Sequence, residues 1–266
     1  MPKDKFQDPP PTESVFNRIQ RTGVLRVGYN ATPIPFSYFN DEGELVGYDV
    51  AFAYDLARTL NVELVFIPYT WVGLIKDLEK HRFDIAISGI FVTDERIRSL
   101  GVSNPYFKSP VVMVTPSKRT HDYTSRQTIS SIRDLRIGVF NDNVLLDFVR
   151  ETFPEAKPVF VSSLKELLEF KNFDVLIWTL EQAKILASLK QGFSVVLTQD
   201  LHPPLLFAYM MPPESDEFLK YINYWLELRK TDGFTERMKE FWIDGKPQAE
   251  PSPRWSIIRN VLHLVD

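Results

Sequence analysis

From about residue 24 to residue 199 the chain alternates short β-type apolar runs with stretches whose apolar residues recur at helical spacing. "VLRVGYN" from Val24, "VELVFIPY" from Val62 and "FDIAISG" from Phe83 read as strands. Between them, "YDVAFAYDLARTL" and "WVGLIKDLEK" read as helices. The scheme then repeats. "LRIGVFN" from Leu135, "KPVFVS" from Lys157, "FDVLIWT" from Phe173 and "FSVVLTQ" from Phe193 are the next strands, linked by the helices "NVLLDFVRETF", "SLKELLEF" and "LEQAKILASLK". Alternation of this kind predicts an α/β fold with mostly parallel sheets.

The two stretches match each other in detail. "LRVGYN" parallels "LRIGVFN", and "HRFDIAISG" parallels "KNFDVLIWT", in the same order. Two similar lobes are expected. "SPVVMVTPS" and "PPLLFAYMMPP" are extended, proline-bounded runs that would join them as hinge strands, and the helical "SDEFLKYINYWLELRKTDG" and "FTERMKEFW" would pack back on the first lobe. The expected organisation is a polar lead-in over 1–14, a discontinuous first lobe over 15–112 and 209–266, and an inserted second lobe over 113–208.

Open α/β lobes bind ligands beyond the carboxyl ends of their strands. Tyr29, Asn30, Ser88, Gly89, Asn141, Trp178 and Thr179 fall there, and Trp71 and Arg96 lie just past two such ends. Arg96 is out of place for a helix start. Thr93, Asp94 and Glu95 suit a helix N-terminus, but a cation three residues after the cap opposes the dipole. It either pairs with a surface acid such as Asp94 or Glu95, or holds an anion in the cleft.

Composition narrows the classes. At 266 residues, 44% apolar and 25% charged, the chain is globular, and its net charge of −4 with scattered Lys and Arg argues against nucleic acid. The absence of cysteine removes disulfides, thiolate metal sites and cysteine nucleophiles. The four histidines are far apart, and G-x-S-x-G, P-loop and H-E-x-x-H motifs are missing, so neither a metal nor a cofactor is expected. No apolar run is long enough to span a bilayer, and the N-terminus has no signal-peptide core; the protein is cytoplasmic, or a leader or anchor has been removed.

"GVLRVGYNATPIPFSYFNDEGELVGYDVAFAYDLA", "WVGLIKDLEKHRFDIAISG", "TDERIRSLGVSNPY", "LRIGVFNDN", "FDVLIWTLEQA" and "YINYWLELRKTDGFTERMKEFW" together cover roughly residues 23–243. They resemble the amino-acid-type extracytoplasmic solute-binding proteins, which have the periplasmic-binding-protein-like II fold. The resemblance implies a monomeric Venus-flytrap protein on the extracytoplasmic side of a bacterial membrane. It would close on a small carboxylate-bearing solute and present it to a membrane transporter, of the ABC class in particular, or to a receptor. It also implies that the arginine of "T-x-x-R", Arg96, forks onto the ligand carboxylate, with Ser88, Gly89 and the backbone of Phe91 donating beside it. Phe91 stands where many relatives have Ser or Thr. Trp71 matches an aromatic ligand wall, or else packs within the lobe.

In the second lobe the loop Asn141, Asp142, Asn143 replaces the family's Gly-Ser/Thr-Thr type, with Asn143 either capping the next helix or contacting ligand. The family's acid for the ligand amine is not securely placed. Thr179 occupies its position after Trp178, Glu181 lies two residues on, and Asn30 and Pro33 also depart from the pattern. A ligand without an α-amine, such as a keto acid, is therefore an alternative to an amino acid.

Two other functions compete with binding. Cyclohexadienyl dehydratases look like this fold, and their chemistry needs a general acid, for which Glu181 and Asp142 are the available groups. That enzyme reading is the less favoured one, and the chain is expected not to be an enzyme. The tail "PRWSIIRNVLHLVD", with an apolar stripe of Trp255, Ile258, Leu262 and Val265, would pack on the first lobe or dock on an adjoining membrane domain, as in a receptor or symporter-fused protein.

Overall fold

A computed structural model describes residues 13–140, 143–199, 201 and 204–246. Two five-stranded sheets form the cores of two lobes. In the first sheet the order is Glu63–Pro68, Val24–Tyr29, Ile85–Ala86, Met210–Met211, Gly101–Val102. In the second it is Lys157–Val161, Arg136–Phe140, Val175–Thr179, Val111–Pro116, Phe193–Val196. Both are built alike: three parallel strands, then a strand antiparallel to both of its neighbours. Four of the five strands in each sheet therefore run the same way, the mostly parallel arrangement expected, with one reversed strand. The antiparallel strand is in each case supplied by the chain where it crosses between lobes.

The crossing itself is a two-stranded ladder, Phe107–Ser109 against Leu205–Phe207. Val111–Pro116, read from sequence as an extended hinge strand, is a fully engaged strand of the second sheet, with Val111 to Thr115 all buried. The expected boundary between residues 112 and 113 divides that strand.

The repeated motif has a shared physical cause. In the first lobe the Arg26 peptide N–H donates to Asp84 Oδ2 at 2.7 Å, and Arg26 Nη2 reaches Asp84 Oδ1 at 2.9 Å. In the second lobe Arg136 N donates to Asp174 Oδ2 at 3.0 Å, and Arg136 Nη2 reaches Asp174 Oδ1 at 2.8 Å. The glycine two residues on admits the phenylalanine before the aspartate. A Cβ on Gly28 would lie 2.5 Å from the Phe83 ring, and one on Gly138 2.7 Å from Phe173. "L-R-x-G" and "F-D" are therefore two halves of one strand-to-strand lock, used once in each lobe.

Elements that lacked a strong periodic signal complete the first lobe. Helix Val15–Thr22 is capped by Ser14, whose hydroxyl accepts from Asn17 N, and it buries Val15, Arg18 and Ile19. Arg18 joins Arg26 on Asp84, making a buried cluster of two guanidiniums and one carboxylate. Glu13 pairs with Arg21 and Ser14 caps the helix, while residues 1–12 of the expected lead-in lie outside the described residues. Helices Asp216–Thr231 and Phe234–Trp242 pack on helix Tyr48–Leu60, where Phe52 meets Trp225 and Phe234 edge-on. Trp225 Nε1 donates to Asp55 at 3.2 Å. The tail stripe of Trp255, Ile258, Leu262 and Val265 lies outside the described residues.

Candidate ligand-binding site

The first-lobe side of the site is the turn after Ile85–Ala86. Ser88 and Gly89 both have positive φ, 106° and 60°. The first is unusual for a residue with a side chain and is held by surrounding bonds. A Cβ on Gly89 would sit 3.0 Å from Phe36 Cδ2, so glycine is required on both counts. The chain then bridges Phe91 to Phe207 in antiparallel fashion, flanked by Val92 N to Leu206 O (2.9 Å) and Ala208 N to Ile90 O (3.0 Å). In that pairing the N–H and C=O of Phe91 both point away from the crossing strand.

Arg96 is on that same outward side. Thr93 caps helix Asp94–Ser99 by accepting from Arg96 N at 3.3 Å, as the sequence leads one to expect. The Arg96 Nη1 then donates to Phe91 O at 2.6 Å. This bond steers the guanidinium over the turn and sets it beside the Phe91 N–H.

The other expected contacts are placed differently. Ser88 is fully buried; its hydroxyl accepts from Asn30 N at 3.0 Å and meets Ser37 Oγ at 2.6 Å. Its amide and that of Gly89 donate to Asp49 Oδ2 at 2.9 and 2.7 Å. Neither residue offers those groups to a ligand. Asn30 is equally engaged: Nδ2 donates to Tyr69 O at 3.2 Å, and Oδ1 accepts from the amide and hydroxyl of Thr32. Trp71 is half-buried, edge-on to Tyr69 with centroids 5.6 Å apart, which ties part of it to lobe packing.

In the second lobe Trp178 packs edge-on against Phe140 at 5.3 Å, both at strand carboxyl ends. Thr179 is fully buried and its hydroxyl donates to Gln182 Oε1 at 2.6 Å, so it is a packing residue. Glu181 is buried against the crossing strand, where its carboxylate accepts from the Ser109 hydroxyl. Burial raises its pKa above the ordinary glutamate range, with the Ser109 bond opposing. Asn143 is exposed and is the first residue of helix Asn143–Thr152. Asn141 and Asp142 lie outside the described residues.

Sequence reasoning missed Asp49. It is fully buried and accepts from Ser88 N, Gly89 N and Tyr106 OH through Oδ2, and from Tyr209 OH through Oδ1. Burial pushes its pKa up to about 6 against the lowering effect of those bonds. A signal was present: Asp49, Phe52, Ala53 and Leu56 share one helical face, an acid on an otherwise apolar stripe.

An aromatic cluster underlies the turn. Phe36 stacks on Phe207 at 5.0 Å, and Phe91 and Phe107 meet Phe207 edge-on at 5.0 and 5.6 Å. The Ser88–Gly89 turn and the crossing ladder therefore share one apolar floor. Among the described residues there is no cluster of three potential metal ligands, and no helix is long and apolar enough to cross a membrane.

With this geometry in place the comparisons decide the family. Residues 25–245 match the model of bacterial extracellular solute-binding proteins, family 3. The chain belongs to that family. It is 29% identical to the cyclohexadienyl dehydratase of Pseudomonas aeruginosa over 241 residues, 87% of each chain. It is 25% identical to the ABC transporter arginine-binding protein 1 of Escherichia coli over 225 residues, 82% of this chain and 90% of that one. Among solved structures, an ancestral amino acid-binding protein described as a precursor of cyclohexadienyl dehydratase superposes with a TM-score of 0.77 at 26% identity, covering 87% of this chain and all of that one. The two-lobe α/β fold expected from the repeat is that of these amino acid binders.

Proposed function

We propose that this family 3 protein captures a small carboxylate-bearing solute between its lobes, outside the cytoplasmic membrane, and delivers it to a membrane transporter. One observation carries the reading: Arg96 is steered by the Phe91 carbonyl onto the face where the Phe91 N–H also points. A planar, permanently charged fork next to a backbone donor suits a carboxylate bidentately. Closure is driven by contacts the ligand makes in the closed state, to which Trp71 and Trp178 contribute aromatic faces from the two lobes. Micromolar affinity corresponds to about 8 kcal/mol, within reach of such a set.

The amine half of an amino-acid site has less support. Asn30 and Thr179 have their polar atoms engaged within their own lobes, and Glu181 faces Ser109 at the crossing strand. We therefore favour a ligand without an α-amine, such as a keto acid. A thermal-shift screen of amino acids against amine-free carboxylates tests this, and a clear preference for α-amino acids sinks it. Arg96→Ala should abolish the shift with every carboxylate. Retained binding would overturn the reading.

The likeness to the Pseudomonas aeruginosa dehydratase, together with a buried Glu181 whose pKa is raised by burial, favours one second reading. Burial that favours the neutral carboxyl is a shift in the direction a general acid needs. Incubation with prephenate or arogenate, followed by product absorbance, separates the two; product formation that Glu181→Gln removes would establish the enzyme.

A further inference from the structure

Asp49 is the buried ionisable group closest to the ligand turn, and the turn's amides point at it. The backbone at Ser88 and Gly89 runs through left-handed φ values, which turns two successive N–H groups inward. Both meet a single oxygen, Asp49 Oδ2, at 2.9 and 2.7 Å. A turn that could cradle an anion from the ligand is thus already filled by an anion from the protein. The ligand is left to the next stretch, Phe91 and Arg96, whose positions depend on the turn before them.

Asp49 also reaches the lobe crossing. Tyr106, directly before strand Phe107–Ser109, donates to Oδ2 at 2.8 Å. Tyr209, two residues after Leu205–Phe207, donates to Oδ1 at 3.3 Å. The two phenol rings stack with centroids 4.3 Å apart. One carboxylate therefore touches the ligand turn and both flanks of the crossing ladder.

The groups facing Asp49 are Tyr48 on its own helix, Tyr69, Tyr106 and Tyr209, and none of its hydrogen-bond partners among the described residues is a cation. Arg96 also acts on Tyr69, and burial is the largest influence on Asp49, pushing its pKa up to about 6. A proton would go to Oδ1, because Tyr209 can reverse to accept while the two amides on Oδ2 cannot. The loop bonds survive protonation, so acceptor geometry rather than charge is what the turn requires.

We propose that Asp49 is the positioning residue of the ligand site: its carboxylate holds the Ser88–Gly89 turn that presents Phe91 and Arg96, and tethers that turn to both sides of the lobe crossing. This rests on the binding reading for its functional meaning, but its structural half can be tested without a ligand. The experiment is amide hydrogen exchange, read residue by residue by NMR on the full chain, with Asp49→Asn and Asp49→Ala. Asparagine keeps an oxygen for the amides and offers an N–H₂ to Tyr209; alanine keeps neither.

In Asp49→Ala, exchange at Ser88 and Gly89 should accelerate by about tenfold or more. The Tyr106 amide, which donates to Phe207 O at 3.0 Å, should accelerate with them, while Val139 in the second sheet stays unchanged. Asp49→Asn should hold wild-type protection to within about threefold. Unchanged Ser88 and Gly89 in the alanine variant would overturn the positioning role, and an unchanged Tyr106 would overturn the tether. If the alanine variant does not fold, the asparagine variant decides, since loss of protection there refutes the acceptor argument. Calorimetric titration with pyruvate and with L-arginine accompanies the exchange data. If one binds wild type, Asp49→Asn should keep that affinity and Asp49→Ala should lose about tenfold or more. If neither binds wild type while the exchange pattern holds, the carboxylate reading fails and the positioning role stands.

Discussion

Replacing Asp84 by asparagine should destabilise the protein far more than the same change at Asp174, although the two occupy equivalent places in the repeat. In the first lobe the side chains of Arg18, Arg26 and Asp84 are 1%, 3% and 1% exposed. Burial already pushes the Arg18 guanidinium down from its ordinary pKa, opposed by Asp84. Removing the carboxylate's charge leaves two guanidiniums buried without a counter-ion, a change that costs about 3–5 kcal/mol in comparable buried pairs. In the second lobe Arg136 is 43% exposed and Asp174 27%, so water screens the pair and its loss costs at most about 1 kcal/mol. Asparagine keeps an acceptor for the backbone N–H in both places, which makes the comparison one of charge and burial alone.

For a chain of this size each kcal/mol moves Tm by about 2–4 °C. Asp84→Asn should then lower Tm by roughly 6 °C or more, and Asp174→Asn by less than about 4 °C. Thermal unfolding followed by circular dichroism, at low salt and at about 0.5 M sodium chloride, reads both; the small Asp174 effect should shrink in salt and the Asp84 effect persist. Equal shifts in the two variants, or an Asp84→Asn shift that salt erases, would refute the burial argument.

Gly89→Ala places a Cβ 3.0 Å from Phe36 in a backbone with φ of 60°, and should cost about 1–2 kcal/mol in denaturant unfolding. Asp49 predicts a pH dependence whose sign is fixed by its raised pKa. Its contribution to stability is fully present below the unfolded value near 4 and is lost as pH rises through about 6, a span of roughly 3 kcal/mol. Denaturation of wild type and Asp49→Asn between about pH 4 and 7 should show the variant gaining on wild type as pH rises; a constant difference removes the claim.

The fold was legible where pattern and local chemistry agree. The strands of the parallel trios and helix Tyr48–Leu60 stand where periodicity puts them, because an apolar run or face must be buried somewhere. Two-residue strands such as Gly101–Val102 and Met210–Met211 leave no period to read, and their place is set by the neighbours they pair with. Val111–Pro116 is the extended strand expected, but its engagement in the second sheet was hidden for a related reason. Bounding prolines suggest a connector, yet Pro116 ends the strand and Pro110 precedes it, so neither interrupts the ladder.

The sequence pointed to a cation for the proposed site and said much less about its donors. Arg96 announces itself by conflict, since a cation in the first turn of a helix needs a reason outside the helix. Ser88 and Gly89 carry no such conflict, and a resemblance assigns their amides to the ligand by position. Whether an amide is available depends on what lies behind it, and that partner, Asp49, is about forty residues away in sequence. It can be suspected only from an acid on a buried helical stripe. The consequence reaches the choice of ligand. With the amides of Ser88 and Gly89 already taken by Asp49, the turn has neither to offer a ligand, so affinity for carboxylates should depend on Arg96 more steeply than a site rich in free amides would allow.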